Sequence, residues 1–173
     1  NNFINFCAGK TITNGLQVKT GSCNPTPMGD LPSVDNMPTS KFQSPTNFGT
    51  IPANTQFDIA LKVNNLNTGT FVNAASAYFA APQQLVNGVI KGHSHISVQQ
   101  MQSLDSTQPL DPKVFAFFKG VNTVADSNGV LTVTVTNGLP PGVYRISSIN
   151  AAANHQEVTG PIAQHGSFND AIY

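Results

Sequence analysis

Apolar and polar residues alternate one for one along TQFDIALKVNN, with Phe57, Ile59, Leu61 and Val63 on one side and Gln56, Asp58, Lys62 and Asn64 on the other. A period of two marks a strand with one buried and one wetted face. The pattern returns in GVLTVTVTNG, where Leu131, Val133 and Val135 face inward and threonines outward, between Asn128-Gly129 and Asn137-Gly138 turns. LPPGVYRISSI follows at once as a Pro-Pro-Gly turn and another β-rich run, and antiparallel pairing with the strand before it is expected. No long stretch has helical period.

Two further runs, TGTFVNAASAYFAA and DPKVFAFFKG, are strand-like and aromatic, although the alanines between Ala74 and Leu85 also suit a turn or two of helix. Many short strands at intervals of roughly 10 to 15 residues, punctuated by Asn-Gly and Pro-Gly, predict an all-β fold, an antiparallel β-sandwich of Ig-like or related type. Tyr144, just after the Pro-Pro-Gly turn, occupies the place of a tyrosine corner.

With 173 residues, 39% of them hydrophobic, the chain can bury one sizeable core, and a single domain over 1–173 is expected. Charged residues are 9% of the sequence, eight basic against eight acidic and neither in runs. That leaves no electrostatic footprint for nucleic acid or an acidic membrane surface. No stretch reaches the length of a membrane-spanning helix.

Cys7 and Cys23 lie sixteen residues apart in Thr-rich, Gly-punctuated sequence that suits a short hairpin. A disulfide fits better than a metal site, because no histidine stands near either cysteine. Such a bridge would stabilise by about 3 kcal/mol in the chain-entropy model. NNFINFC lacks the shape of a signal peptide, as expected for a mature secreted protein whose leader has been removed. No Asn-x-Ser/Thr acceptor is present, since Asn24 precedes a proline.

Prolines at 25, 27, 32, 38, 45 and 52 exclude a regular helix or central strand between them. This stretch is expected to form a long loop after the N-terminal hairpin, pinned to the core by Met28, Leu31, Met37, Phe42 and Phe48.

Two of the four histidines fall one residue apart, in IKGHSHISVQQ. Ile90, Gly92, Ser94, Ile96 and Val98 share one face of that run, and His93 and His95 share the other, polar face. Their Cβ atoms would be about 6 to 7 Å apart, within reach of one ion. Zinc or copper needs three or four ligands, so His155 and His165 are the further candidates, with Glu157, Asp170 and Gln99 as oxygen donors. If HQEV is extended, His155 and Glu157 share a face. Affinity should then fall as pH drops through the histidine range near 6.5. The alternative is four solvated or hydrogen-bonded histidines in amide-rich loops.

Other chemistries lack their residues. A cupin needs a Glu shortly after the second His, where this chain has ISVQQMQSL, and a His shortly after Pro-x-Gly, where it has Tyr144 and Arg145. A nucleophile elbow needs a closing Gly where Ile96 stands, and Ser94 faces the core. The eight carboxylates are isolated and mostly sit in turn contexts, which gives no glycosidase pair. Trp is absent, so a glycan-binding module would rely on Tyr78, Tyr144, Tyr173 and the phenylalanines.

The blocks CAGKTITNGLQVKTGSCNPTPMG, YFAAPQQL, GHSHI, FAFFKGVN, GLPPGVYRISSINAAANHQ and PIAQHGSFNDAIY span nearly the whole chain. Together they resemble a group of small secreted proteins of filamentous, largely mushroom-forming fungi. The resemblance implies an exported, disulfide-bearing β protein with no established activity, and it transfers no catalytic residue. Members can carry a second, late cysteine pair where this chain has Ser147 and Ala171.

Three functional expectations follow. The first is a non-enzymatic extracellular or cell-wall protein acting through a neutral, amide-rich surface. The second is a Zn- or Cu-binding protein or metalloenzyme using the histidines. The third is a cell-wall glycan-binding module.

Overall fold

The computed structural model describes residues 3–173, and nearly all regular structure in it is β. Three strands form one sheet in the order β1 (Thr39–Ser44), β2 (Phe57–Asn64), β7 (Val130–Val135). The second sheet is built around the thirteen-residue β5 (Val89–Met101). β8 (Val143–Ala152) runs antiparallel along β5 from Gly92↔Ala152 to Met101↔Val143, and β9 (Ala171–Ile172) follows β8. β6 (Phe117–Val121) and β4 (Leu85–Val86) also pair antiparallel with β5, while β3 (Leu66–Asn67) joins it in parallel.

The period-two residues close the sandwich. Ile59 lies opposite Val133 and Leu61 opposite Leu131, and these side chains meet Ile96, Val98, Val121, Ile146 and Ile172 from the larger sheet. Ile59, Leu61, Ile96 and Val98 have no exposed surface, and burial of each contributes about 1.5 to 3 kcal/mol. A smaller cluster of Leu66, Ile90, Ala152, Val158 and Phe168 fills the end beyond it. The β-sandwich reading therefore holds.

Several details differ from the sequence expectation. The strands β7 and β8 are not paired, because the Pro-Pro-Gly turn carries the chain from one sheet to the other. The proline-rich stretch is not one long loop. A 3-10 turn at Val34–Asn36 and the strand β1 run through it. β1 is an edge strand with an irregular register between Phe42 and Ser44, so the flanking prolines cost it no central hydrogen bonds. Of the expected anchors, Phe42 is buried and Met37 packs on the smaller cluster, whereas Met28, Leu31 and Phe48 are exposed.

Cys7 and Cys23 form the expected disulfide, with Cα atoms 5.6 Å apart. The enclosed segment is no hairpin, since its bridge between Ile12 and Cys23 is parallel. Residues 74–84 form turns and irregular structure, neither helix nor a regular strand. The Tyr144 hydroxyl donates to the Pro140 carbonyl at 2.8 Å, as the tyrosine-corner reading anticipates. No helix among the described residues is long and apolar enough to cross a membrane.

Candidate metal centre

β5 sends its even-numbered side chains into the interior, where Ile96 and Val98 meet the core and the Ser94 hydroxyl donates to Asn150 Oδ1 at 2.5 Å. Strand geometry then puts His93 and His95 on the opposite face. Gly92 lets β8 come close beside them, because a Cβ there would lie 1.9 Å from the Ala151 carbonyl oxygen.

The histidine face is not the wet side that the sequence suggested. His93 is 0% exposed and His95 is half-buried. Residues 70–79 lie over this face, held by Thr70 N–H to the Gly92 carbonyl at 3.0 Å, Val72 N–H to Ala153 at 2.9 Å and Phe79 N–H to Asn154 at 3.0 Å. The edge of Phe71 meets the His93 ring at 6.1 Å. The disulfide-tied N-terminal segment supports this cover from outside. Tyr78 N–H donates to Gly15 at 2.8 Å, and the side-chain amides of Gln17 and Asn24 donate to Ala74 at 3.0 Å and Phe79 at 3.1 Å.

His155 arrives by a different route. HQEV is not an extended run: the chain turns after β8, with the His155 N–H bonded to the Ala152 carbonyl at 2.9 Å. His155 itself has φ 72°, in the left-handed region that costs most residues about 1 to 2 kcal/mol. Asn154 fixes the turn by accepting from Gln156 N–H at 2.8 Å and donating to the Ala81 carbonyl. The turn carries the third imidazole back over β5.

His93 Nε2 lies 3.1 Å from His95 Nε2 and 3.1 Å from His155 Nδ1. One ligand atom from each ring lies within 4.8 Å of the other two. The outer nitrogens decide what the inner ones present. His93 Nδ1 is 3.2 Å from the Thr70 carbonyl, and His155 Nε2 is 2.7 Å from the Val72 carbonyl. A carbonyl accepts only, so each outer nitrogen must carry the proton. When both rings are neutral, His93 Nε2 and His155 Nδ1 therefore point lone pairs at each other. A proton on His95 Nε2 can serve His93 but leaves His155 Nδ1 without a donor; a cation would satisfy all three. Backbone carbonyls on the far nitrogens are the usual outer partners of metal-bound histidines.

Burial, with smaller contributions from His95 and His155, lowers the His93 pKa to about 4. Burial and then the neighbouring His155 lower His95 to about 4 as well. Both rings thus remain neutral through the range near 6.5, where a solvent-exposed pair would titrate. Tyr78, whose ring stacks on His155 at 6.0 Å, has its pKa raised by burial.

The other candidate ligands are engaged elsewhere. His165 is exposed, its ring stacked on Phe168 at 4.1 Å. Glu157 pairs with the Asn169 amide, and Asp170 accepts from Lys41 Nζ at 3.1 Å and Phe42 N–H at 2.8 Å. Gln99 receives the Arg145 guanidinium at 2.6 Å and donates to the Asp111 and Val114 carbonyls. Sequence reasoning missed Thr70 and Val72, which act through main-chain oxygen and carry no side-chain signature.

A family model described as the CLU5d N-terminal domain matches residues 40–173, the region that contains all three clustered histidines. The chain belongs to the CLU5d N-terminal domain family. Pathogenicity cluster 5 protein d of Colletotrichum graminicola is 48% identical over 172 residues, 98% of this chain and 36% of that protein. This CLU5d domain therefore spans little more than a third of the length of that curated relative. No solved structure matches it. The expectation of a fungal family is met at that level.

Proposed function

We propose that this CLU5d domain is a secreted metal-binding module of a fungal pathogenicity protein, holding a Zn or Cu ion through His93, His95 and His155. The observation that carries the reading is the convergence of His93 Nε2 on His95 Nε2 and His155 Nδ1, each at 3.1 Å, with the Thr70 and Val72 carbonyls occupying the outer nitrogens of His93 and His155 so that neutral rings turn lone pairs inward. Uncompensated, that arrangement is electrostatically unfavourable in a buried site; a bound cation reverses its sign. Secretion is supported by the Cys7–Cys23 disulfide, since such bonds persist in oxidising compartments. The link to pathogenicity rests on the name of the Colletotrichum relative, pathogenicity cluster 5 protein d. The module binds and presents the ion, and no reaction is assigned to it.

The test is elemental analysis after incubation of metal-free protein with Zn²⁺ or Cu²⁺ and removal of excess. One equivalent retained by the native protein and by His165→Ala, but lost from His93→Ala, supports the reading. Absence of retained metal in the native protein ends it.

A second reading concerns the opposite end of the sandwich. Phe48 and Tyr173, 68% and 39% exposed, stack at 6.3 Å beside an apolar cleft of about 270 Å³. Exposed stacked rings suit a cell-wall glycan. Retention on chitin or β-glucan that disappears in Tyr173→Ala supports this second role, and absence of retention across a polysaccharide panel removes it.

A further inference from the structure

The two sheets part at one end of the sandwich. The end near the histidines is filled by the smaller cluster of Leu66, Ile90, Ala152, Val158 and Phe168. At the other, Phe57 opens β2 on one side while Tyr144 and Ile146 of β8 and Ile172 of β9 stand on the other, all bordering the cleft of about 270 Å³. Phe57, Leu139 and Tyr144 rest on the core there without being fully buried. The cleft is therefore continuous with the core, walled by residues 45–53 and the Pro140-Pro141 turn.

Its lining selects a ligand by what it withholds. Among the described residues, no Asp, Glu, Lys, Arg or His borders the cleft, and its polar side chains are the hydroxyls of Thr46, Thr50, Tyr144 and Tyr173. The Tyr144 hydroxyl already donates to the Pro140 carbonyl at 2.8 Å. Pro45, Pro52, Pro140 and Pro141 bring no N–H to the wall. Such a surface offers a charged or many-hydroxylated molecule few partners in place of the water it would lose. A sugar would leave its hydroxyls unpaired inside the cleft, whatever stacks on the exposed rings beside it.

The rim carries backbone strain. Phe48 has φ 59°, a left-handed value that is an outlier for a bulky side chain. Its N–H donates to the Tyr173 carbonyl at 2.5 Å, and the Tyr173 N–H donates to Asn47 Oδ1 at 2.9 Å. The turn is thus pinned to the end of β9, with the Phe48 ring at the rim and largely exposed. Strain of this kind persists only where the surroundings over-determine it, and it clusters at ligand clamps.

We propose that the cleft is a binding site for one uncharged, lipid-like small molecule, whose hydrocarbon part enters between the two sheets. An apolar cavity of about 150 Å³ stays dry and takes up benzene. This cleft has nearly twice that volume, which leaves room for a larger hydrocarbon. The inference depends on neither the metal reading nor the glycan reading.

The test is fluorescence of N-phenyl-1-naphthylamine, a neutral probe that brightens on leaving water, titrated into metal-free native protein. Saturable brightening with one equivalent bound, reversed by 1-decanol and unaffected by chitotetraose, is expected. Leu104 lines the cleft yet is 55% exposed, so Leu104→Asp sets a carboxylate at its lip without entering the core. That variant should bind the probe about tenfold more weakly, because the bound hydrocarbon strips water from the charge. Ile51→Trp should weaken binding by filling the cleft from its loop wall; if that variant does not fold, Leu104→Asp decides alone. Val124→Asp, an equally polar change at an exposed residue outside the cleft, should bind like the native protein.

Failure of the native protein to saturate, or equal affinity in native protein and Leu104→Asp, overturns the proposal. So does displacement of the probe by chitotetraose, which would give the cleft to the glycan reading, and so does equal weakening in Val124→Asp, which would mark general adhesion to the surface. None of these outcomes bears on His93, His95 and His155, so the metal reading stands or falls by its own test.

Discussion

His93 Nε2 and His155 Nδ1 face each other at 3.1 Å, each ring having already given its other nitrogen to a main-chain carbonyl. The two residues are sixty-two apart in sequence. The pair is therefore a product of tertiary structure, and its proton positions can be measured. In metal-free protein at neutral pH, long-range proton–nitrogen NMR correlations should show the Nδ1–H tautomer for His93 and the Nε2–H tautomer for His155. Rapid exchange between tautomers at either ring would contradict the carbonyl-locking argument.

The lowered pKa values of His93 and His95 predict the direction of acid sensitivity. Unfolded histidine titrates near 6.5, whereas these two do so at about 4 in the folded protein. Between those values the unfolded chain binds protons that the folded chain refuses, so stability falls as pH falls through this window. Above 6.5 neither ring contributes to the pH dependence, and below 4 both states are protonated and the loss is complete. Thermal unfolding of metal-free protein should show a melting temperature that declines between pH 6.5 and 4, less steeply in His95→Gln. Equal slopes in the two proteins would refute the assignment.

The left-handed backbone at His155 predicts an unusual ranking of substitutions. His155→Gly relieves the strain that His155→Ala retains, so the glycine variant should be more stable to urea by about 1 kcal/mol. At an ordinary position the order is reversed.

Gly92 makes a sharper demand. Gly92→Ala drives a methyl group into the Ala151 carbonyl and should cost about 3 kcal/mol in urea unfolding, the upper end for overpacking. Gly166→Ala, where nothing lies within 4 Å of the added carbon, should stay within about 0.5 kcal/mol of native.

Ser147 and Ala171 stand directly opposite each other in the β8–β9 pairing. These are the positions where the resemblance to small fungal secreted proteins places a second cysteine pair. The double variant Ser147→Cys/Ala171→Cys should close a bridge under oxidising conditions and stabilise by about 3 kcal/mol, by analogy with loops of comparable length. A free-thiol assay that finds both cysteines reduced would show that the facing strands cannot support that geometry.

Alternation in the sequence revealed which residues share a face, and did so reliably for β2, β7 and β5. It could not reveal what covers each face. His93 and His95 do emerge together, but onto a surface roofed by residues 70–79, whose attachment uses main-chain groups common to every residue. The same gap explains the expected pairing of β7 with β8: nearness in sequence favoured a hairpin, while the chain crosses between sheets at Pro140-Pro141. The proline spacing correctly denied a central strand yet left room for β1 at the edge. His155 was legible as a donor by residue type, but its delivery by a left-handed turn was hidden, because a histidine, unlike glycine, does not advertise that conformation in a sequence.

Thr70 and Val72 lie two residues apart, and one short length of chain therefore sets the proton on both His93 and His155. Lifting that length would release the two rings together, letting each exchange its protonated nitrogen and abolish the facing pair in a single movement. The neighbouring Tyr78 is braced by Gly15, inside the loop closed by Cys7 and Cys23. The cover over the imidazoles is thus tied, through Tyr78 and Gly15, to the loop that the buried Cys7–Cys23 bridge closes.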